Sequence, residues 1–422
     1  MYHEVLGFPG PVLGSRSPFW FSVPVPGSFM RDDVAIVGAG PAGAWAAFCL
    51  AQRGARVSLF DPSHPREKAC GGGVTGRALA LVGDTVAADA FPRTVVRAAR
   101  FVATERPRTA ADGGALHGAA DATVPLEDGA LVVASRAAFD AALVDAAVRA
   151  GARLVSARVT DVAIDARSAA LETTAGRFTA DVVVGADGAN SLVRRRVATP
   201  FRRDQLSIAT GFYARGATSR EIVIELTGNP PGYIWSFPRP DHLAIGICAQ
   251  ADAGIGAAAL RARTRTWIDR AGVVPRAALA PYSWPIPSLA ARDYETLPLA
   301  GPRWALAGDA AGLVDPITRE GIFFALLSAG ALAEALAHGR GWTPYVERIR
   351  EEVATELARA ARVKAGFFRP AFLGLLLRAL DESAAVRSVV ADLIAGRQDY
   401  ATLKWRLVKT LEVGLAWRAL TA

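Results

Sequence analysis

The sequence contains little cysteine, and its few cysteines are poorly spaced for a metal site. Cys49, Cys70 and Cys248 are the three among 422 residues, with neither CxxC spacing nor a pairing with histidines. This pattern argues against a zinc site, and we predict no metal. A small, odd number of thiols is typical of a reducing compartment rather than of a disulfide framework.

Long apolar runs and long basic runs are also missing. No uninterrupted apolar stretch reaches the roughly eighteen residues that a membrane-spanning helix requires. The formal net charge is +8, yet the arginines are scattered and no nucleic-acid-binding motif is present. Because 51% of the residues are hydrophobic, a packed globular fold is expected. We predict a cytoplasmic protein with no nucleic-acid partner.

The first thirty residues differ from the rest. They contain five prolines and four glycines, and they lack the basic start, apolar core and small-residue cleavage site of a signal peptide. Met30 directly precedes the first convincing strand. We interpret residues 1–30 as a flexible extension or as the product of a misassigned start codon.

A βαβ unit follows this segment. Asp33–Val37 and Arg56–Phe60 are short apolar runs, and between them lie the sequence GAGPAG and an alanine-rich helical stretch. The second run ends in Asp61, whose carboxylate can accept hydrogen bonds from ribose hydroxyls. The unit predicts a Rossmann-type dinucleotide site.

Each glycine of GAGPAG has a physical reason to be there. Gly38 permits a tight turn, Gly40 leaves room for a pyrophosphate, and Gly43 lets the helix pack closely on the strand. Pro41 and Ala42 open the helix, whose N-terminus presents N–H groups and a positive dipole to phosphates. We predict that these five residues bind the cofactor.

Two later motifs narrow the choice of cofactor to FAD. Asp187 and Gly188 follow one buried strand, and Gly308 and Asp309 follow another. Asp309 can bond a ribitol or ribose hydroxyl, and the next helix, entered at Gly321, can point its N-terminus at the flavin. All three motifs in order, each after an apolar strand, predict an FAD-binding protein.

The pattern GxGxxG, DG, GD resembles that of the p-hydroxybenzoate-hydroxylase-like flavoproteins, and within them the chain is most similar to the geranylgeranyl reductase family. Three stretches carry the closer likeness, and it extends from about residue 33 to about residue 336. They are PREKACGGG at 65–73, GYIWSFP at 232–238, and GDAAGLVDPITREG at 308–321, where the family usually has Gly at Arg319.

The resemblance implies an α/β fold in which a Rossmann-type FAD-binding domain is interleaved with an antiparallel-sheet substrate domain, followed by C-terminal helices. We predict the following boundaries: residues 31–90, 130–200 and 290–340 for the FAD domain, 91–129 and 201–289 for the substrate domain, and 341–422 for the helical region.

The resemblance also implies the chemistry. Family members reduce carbon–carbon double bonds in isoprenoid chains of chlorophyll precursors, archaeal-type lipids or menaquinone, by hydride transfer from the reduced flavin. A proton must reach the other alkene carbon, and an apolar tunnel must hold the chain. The sequence contains only one GxGxxG motif, so it shows no dedicated NADPH-binding domain, and the electron donor stays open between NADPH bound over the flavin and reduced ferredoxin.

Several residues acquire roles from the resemblance. Cys70 is a candidate catalytic residue over the flavin ring, with a small structural thiol as the alternative. Arg136 is expected to contact the cofactor on its phosphate or ribose side, with a surface helix charge as the alternative. A specific role for Arg239, where the family often has Lys, stays open. Four residues are predicted to meet the substrate, namely Gly72, Tyr233, Trp235 and Phe237, with ordinary sheet core as the alternative for the aromatic three.

The C-terminal helices, which include Phe372, Trp405 and Trp417, are interpreted as a cap over a substrate tunnel or as a surface resting on an anionic membrane. Three other functions compete. An aromatic monooxygenase would use NADPH and oxygen and needs a compact polar pocket. A flavin halogenase would match only half of its usual Trp-x-Trp-x-Ile-Pro at 233–238. A redox-inactive prenyl-lipid carrier would have no need of Asp309 or the phosphate-binding glycines.

Overall fold

The computed structural model describes residues 33–87, 89–102, 121–271, 278–339 and 341–410. The predictions for residues 1–30 and for Trp417 lie outside these ranges. Within them, no helix is long and apolar enough to cross a membrane.

The described residues contain nineteen strands in four sheets. In chain order the strands are β1 (Asp33–Val37), β2 (Arg56–Phe60), β3 (Gly73–Thr75), β4 (Arg93–Val95), β5 (Ala98–Phe101), β6 (Ala122–Pro125), β7 (Leu131–Ala134), β8 (Arg153–Val155), β9 (Val159–Ile164), β10 (Ala169–Thr173), β11 (Gly176–Ala180), β12 (Val182–Gly185), β13 (Leu206–Arg215), β14 (Glu221–Gly228), β15 (Pro231–Pro238), β16 (His242–Gln250), β17 (Leu279–Pro287), β18 (Ala300–Gly301) and β19 (Trp304–Leu306).

Eleven α-helices accompany these strands in the described ranges. They are α1 (Pro41–Gln52), α2 (Gly76–Val82), α3 (Arg136–Arg149), α4 (Leu192–Val197), α5 (Ala257–Ala271), α6 (Ile322–Ala337), α7 (Thr343–Arg348), α8 (Thr355–Phe367), α9 (Pro370–Glu382), α10 (Ala384–Ile394) and α11 (Tyr400–Thr410). Short 3-10 turns cover Arg203–Gln205, Ala291–Thr296 and Gly308–Ala311, and a π-helical turn covers Ile349–Ala354.

The first sheet has the order β18-β19-β12-β1-β2-β8, and all of its strands except β18 pair in parallel. The chain runs outward from β1 through β2 on one side and returns through β12 on the other. The carboxyl end of β1 is therefore the point where the strand order reverses, which is where open α/β sheets bind ligands. The three glycine motifs lie at this edge.

Helix α1 is buried along almost its whole length, between α3 and α6. Five of its twelve residues are alanine and one is glycine, so the neighbouring helices can approach closely, and the helix is buried on all sides without a polar face. Proline at its first turn suits that position because the missing N–H would have no partner there. This packing fixes the direction in which the helix N-terminus points.

The second large sheet has the order β17-β13-β16-β15-β14-β5-β6 and is antiparallel except for the β14–β5 pair. Apolar and polar residues alternate within residues 207–247, which predicts strands, and this segment forms four strands of the sheet, β13 to β16. The glycine- and proline-containing residues 228–232, where the alternation breaks, include the tight connection between β14 and β15. The mixed α/β fold with an antiparallel second sheet and C-terminal helices is confirmed, whereas the domain boundaries stay a prediction.

One local expectation was wrong. Residues 62–75 are rich in Gly and Pro, which predicts a loop, but Gly73–Thr75 forms a short strand that pairs with β7, about sixty residues away. The apolar segment 367–380 is helical, and it spans two helices, since α8 ends at Phe367 and α9 begins at Pro370. Proline cannot continue a helix because it lacks the N–H and clashes with the preceding turn.

Candidate cofactor and substrate site

The turn between β1 and α1 has the geometry of a phosphate cradle. Gly38 has a φ of +98°, a left-handed conformation that favours glycine. A Cβ at Gly43 would lie 1.8 Å from the Gly38 carbonyl oxygen, so the close packing predicted for this glycine is present. A Cβ at Gly40 would meet no protein atom within 4 Å, so Gly40 faces open space.

The N-terminus of α1 is available to an anion. Gly40 is the N-cap and offers no capping side chain, and the first helical hydrogen bond is donated by the N–H of Ala44 to Gly40. The N–H groups of Ala42 and Gly43 precede that bond and have no acceptor within the helix. These residues fit the pyrophosphate of FAD, which is the contact predicted for them.

Asp61 is buried and its carboxylate organises the loop that follows β2. It accepts hydrogen bonds from the backbone N–H groups of Ala39 (3.1 Å), Ser63 (2.9 Å) and His64 (3.1 Å). Asp61 therefore ties the glycine turn to the next loop. Its predicted contact with a ribose stays a prediction.

A buried chain of charges connects Asp61 to Arg136 through His64 and Asp140, neither of which the sequence pattern singled out. His64 Nδ1 lies 2.9 Å from Asp61, and Nε2 lies 3.2 Å from Asp140. Arg136 donates two hydrogen bonds to Asp140, at 2.9 and 2.8 Å. Burial opposes the charge on His64, but the hydrogen bonds and charges of Asp140 and Asp61 raise its pKa overall. The guanidinium of Arg136 is thereby fixed at the wall of the large cavity described below.

Asp187 has a structural function in this fold. It accepts hydrogen bonds from the hydroxyl of Ser191 and from the N–H groups of Leu192 (2.6 Å) and Val193, so it caps the start of α4. Burial raises its pKa despite those bonds. Its neighbour Gly188 has a φ of +80°. Direct contact of Asp187 or Gly188 with the cofactor stays a prediction.

Asp309 lines the cavity close to the turn between β1 and α1. Lys68 donates to its carboxylate at 3.2 Å, and Arg136 lines the same cavity. A Cβ at Gly308 would contact Ala42 at 3.1 Å, so this motif lies against the beginning of α1. Gly321 is the N-cap of α6, and a Cβ there would lie 3.2 Å from an Asp309 carboxylate oxygen. Lys68 had no assigned role, although it is part of the loop motif that carries the family resemblance.

The glycine loop around Cys70 is packed against the second sheet. A Cβ at Gly71 would lie 2.6 Å from the Phe237 ring, and one at Gly73 would lie 3.1 Å from it. Gly72 has a φ of +86°, and a Cβ there would meet the Ala134 carbonyl at 2.3 Å. The three glycines therefore allow close approach to protein groups, and Cys70 lies half-buried at the cavity wall.

Four residues outside the predicted site hold this loop. Arg239, which is fully buried, donates to the Cys70 carbonyl oxygen at 2.7 Å and forms an ion pair with Glu67. Glu67 also accepts a hydrogen bond from Ser135 at 2.6 Å. Tyr213 donates to the Lys68 carbonyl at 2.7 Å. Arg239, Glu67, Ser135 and Tyr213 thus position the Cys70 loop, and their partners are too distant in sequence for a local pattern to reveal.

Three aromatic residues alternate along β15, so their side chains share one face of the strand. Tyr233, Trp235 and Phe237 all line the cavity, and their contact with a substrate stays a prediction. The Tyr233 hydroxyl donates to the Thr318 carbonyl at 2.9 Å, which connects this strand to the loop before α6. Cys248 also lines the cavity, while Cys49 is buried in α1 with a pKa raised by burial to about 12.

One cavity joins these elements. Its volume is about 580 Å³, and it extends from the loops at Pro41, Cys70 and Asp309 to helices α8–α11. Apart from the polar groups beside the cofactor loops, those of residues 318–320 and that of Lys404, its walls are mainly aliphatic and aromatic. The helical wall includes Phe367, Phe372, Leu376, Val390, Leu393 and Leu407. No group of three potential metal ligands occurs in the described ranges.

Residues 31–344 match the family described as "FAD binding domain". The chain belongs to this family. It is a FAD-dependent oxidoreductase, and its resemblance to geranylgeranyl reductases is confirmed by its relatives.

Two relatives are each 30% identical to this chain over 81% of its length. One is the digeranylgeranylglycerophospholipid reductase of Methanothrix thermoacetophila, of which 88% is covered, and the other is the menaquinone reductase of Mycolicibacterium smegmatis, of which 86% is covered. The geranylgeranyl diphosphate reductase of Rhodobacter capsulatus is 26% identical, over 72% of this chain and 75% of the relative.

Solved structures agree on the fold. A geranylgeranyl bacteriochlorophyll reductase-like protein of Thermoplasma acidophilum superposes with a TM-score of 0.72 at 21% identity, covering 90% of this chain and 99% of its own. A flavin-dependent brominase superposes with a TM-score of 0.63 at 19% identity, covering 90% and 98%. At these identities the likeness establishes a shared fold alone.

Proposed function

We propose that the protein reduces carbon–carbon double bonds in an isoprenoid chain with hydride from reduced FAD. The observation that carries this proposal is the apolar cavity that runs from the Cys70 loop to the C-terminal helices. An aliphatic and aromatic cavity suits a prenyl chain, and a chain bound in it would have double bonds within reach of the cofactor loops. The relatives named as reductases of prenyl lipids or of menaquinone support the same substrate class.

The protein groups have distinct proposed tasks. Ala42 and Gly43 hold the pyrophosphate with their N–H groups, while Asp309 and Arg136 bind the ribitol and phosphate side. When bound and reduced, FAD supplies the hydride. Tyr233, Trp235 and Phe237 line the channel, exclude water and orient the chain.

Cys70 is the proposed proton donor to the second alkene carbon. It lies at the cavity wall, and its Sγ accepts a hydrogen bond from the N–H of Gly72 at 3.3 Å. The hydrogen bond that Arg239 donates to the carbonyl oxygen of Cys70 fixes the backbone at this point. A fixed donor is required because an isolated alkene is a poor hydride acceptor without a synchronised proton.

The competing functions fit the cavity less well. An aromatic monooxygenase would be expected to close a small polar pocket around an aromatic acid, whereas this cavity is large and mostly apolar. A redox-inactive lipid carrier does not explain a complete FAD cradle. A flavin halogenase function is supported by the shared fold and by a half-matched motif at residues 233–238, and by no feature of the cavity.

Two features are proposed beyond the reaction itself. The electron donor is NADPH or reduced ferredoxin. The protein also contacts a membrane peripherally through α11, where Trp405 is 70% exposed, Val408 is 48% exposed, and Lys404 and Lys409 add positive charge. Because Lys404 and Val408 also line the cavity, a lipid substrate can enter from that surface.

A substitution in the helical wall tests the proposal. Leu393→Trp fills part of the cavity at its helical wall, where Leu393 belongs to α10. Reduction of a twenty-carbon geranylgeranyl chain should fall more than reduction of a ten-carbon geranyl chain, because only the longer chain needs that space. Equal effects on both lengths would contradict a prenyl chain in this cavity. Retained FAD absorbance controls for folding.

A further inference from the structure

Arg319 adopts a backbone conformation that arginine rarely takes. Its φ is +62°, and no other non-glycine residue in the described ranges has a positive φ. This is the position at which the resembled family usually has Gly, which adopts such a φ without strain. Strain of this kind tends to persist where the side chain has a task.

The side chain of Arg319 lines the cavity with its charge uncompensated. One guanidinium nitrogen donates to the Ser288 hydroxyl, while the buried Nε has no hydrogen-bond partner. Among the described residues, no carboxylate forms an ion pair with it. An orphaned buried donor beside an apolar cavity indicates space for an acceptor from a ligand.

A second cation stands beside Arg319 without a carboxylate partner among the described residues. Lys364 donates to the same Ser288 hydroxyl at 2.7 Å and to Gln250 Oε1 at 2.8 Å. Burial and the charge of Arg319 lower its pKa to about 7, while Cys248 and Asp252 oppose that shift weakly. When Lys364 is protonated, its ammonium and the Arg319 guanidinium repel each other across one neutral hydroxyl, and an anion between them would remove that penalty and favour the charged amine.

We propose that Arg319 and Lys364 bind the phosphate group of a phosphate-headed prenyl substrate and so select it over neutral prenyl alcohols and quinones. This inference rests on the proposed function. A phosphate ester offers negative charge and several acceptor oxygens to both cations, and guanidinium groups bind such oxygens well. A neutral quinone would leave both charges unpaired. The FAD pyrophosphate belongs at the N-terminus of α1, so it is not the anion for this pair.

Equilibrium dialysis of the FAD-loaded protein tests the proposal, with geranylgeranyl diphosphate and geranylgeraniol as probes. Arg319→Gly restores the residue that suits this φ, and Lys364→Met removes the second charge. Each variant should bind the diphosphate about 10-fold more weakly or worse, with binding of the alcohol nearly unchanged. Arg149→Met, which removes an exposed charge at the end of α3 away from the cavity, should leave both affinities as they are.

The proposal is overturned if Arg319→Gly weakens both probes equally, if it weakens neither, or if the parent protein binds both equally well. FAD content and the thermal midpoint of each variant separate unfolding from loss of the phosphate contact. Digeranylgeranylglyceryl phosphate serves as a third probe. Comparing how much Arg319→Gly weakens its binding and that of the diphosphate shows which of the two headgroups Arg319 favours. Because binding is measured without turnover, these results remain distinct from a failure to reduce any alkene.

Discussion

Arg239 donates a hydrogen bond from its guanidinium to the carbonyl oxygen of Cys70, 169 positions earlier in the chain, at 2.7 Å. This bond joins the second sheet to the loop that presents the candidate catalytic thiol. The same guanidinium neutralises Glu67, whose pKa is lowered by Arg239 although burial opposes that shift. The position of Cys70 is therefore set by a buried guanidinium that directly follows β15 of the second sheet.

Arg239→Met should destabilise the protein and displace the Cys70 loop. It leaves Glu67 without its cation and a backbone carbonyl without a donor, which costs about 3 kcal/mol of unfolding free energy. Arg239→Lys should recover part of the loss, because a lysine can reach one of the two partners. Chemical denaturation measures the free energy of unfolding, which should decrease from the parent protein to Arg239→Lys and then to Arg239→Met. Equal values for the three proteins would refute a stabilising role of Arg239.

Gly40→Val should abolish FAD retention while the protein still folds. A Cβ at this position meets no protein atom within 4 Å, so the fold tolerates it, but the added side chain occupies the space of the pyrophosphate. Gly43→Val is the contrasting variant, since its Cβ would collide with the Gly38 carbonyl and disturb packing itself. Absorbance of purified Gly40→Val at flavin wavelengths provides the measurement, and a fully yellow, folded variant would refute the site.

Cys70→Ala should keep FAD but lower alkene reduction by about 100-fold, the usual scale for losing a general acid. Single-turnover reduction of a geranylgeranyl substrate measures the loss. Cys49→Ala serves as the control, because that thiol is buried in α1. Unchanged turnover in Cys70→Ala would reduce the thiol to a structural role.

The lowered pKa of Lys364 predicts a pH dependence of stability. The unfolded lysine binds a proton up to its usual pKa of 10.5, whereas the folded one releases it near pH 7. Between these values the unfolded state holds more protons, so the free energy of unfolding rises with pH, by at most about 1.4 kcal/mol per pH unit from this group. Lys364→Met should lack that component. Parallel stability curves for both proteins between pH 7 and 10 would contradict the burial of this amine.

Much of the cofactor-binding turn could be predicted, because each of its glycines is required by the local backbone geometry. Gly38 adopts a left-handed conformation and Gly43 allows a close helix–strand contact, and a short sequence motif is enough to reveal both requirements. The FAD-binding family, the fold class and the kind of enzyme are confirmed. The individual contacts of Asp61, Arg136 and Asp187 with FAD stay predictions.

Two features could not be predicted, namely the contacts of Arg239 with the Cys70 loop and the buried chain of charges between Asp61 and Arg136. Both depend on residues that folding brings together from separate elements. His64 lies between Asp61 and Asp140, 76 positions apart from the latter. Arg239 and Cys70 meet only when the second sheet packs on the loop. Arg319 is intermediate: its departure from the usual glycine was visible, but its uncompensated charge beside Lys364 required the fold.

The most direct test of the central claim is an anaerobic reaction of the dithionite-reduced protein with a geranylgeranyl lipid or menaquinone. Flavin reoxidation and product mass are followed together. The account predicts reoxidation without oxygen and a gain of two hydrogens for every double bond reduced. A protein that reoxidises only when oxygen is admitted, with the lipid unchanged in mass, would contradict it.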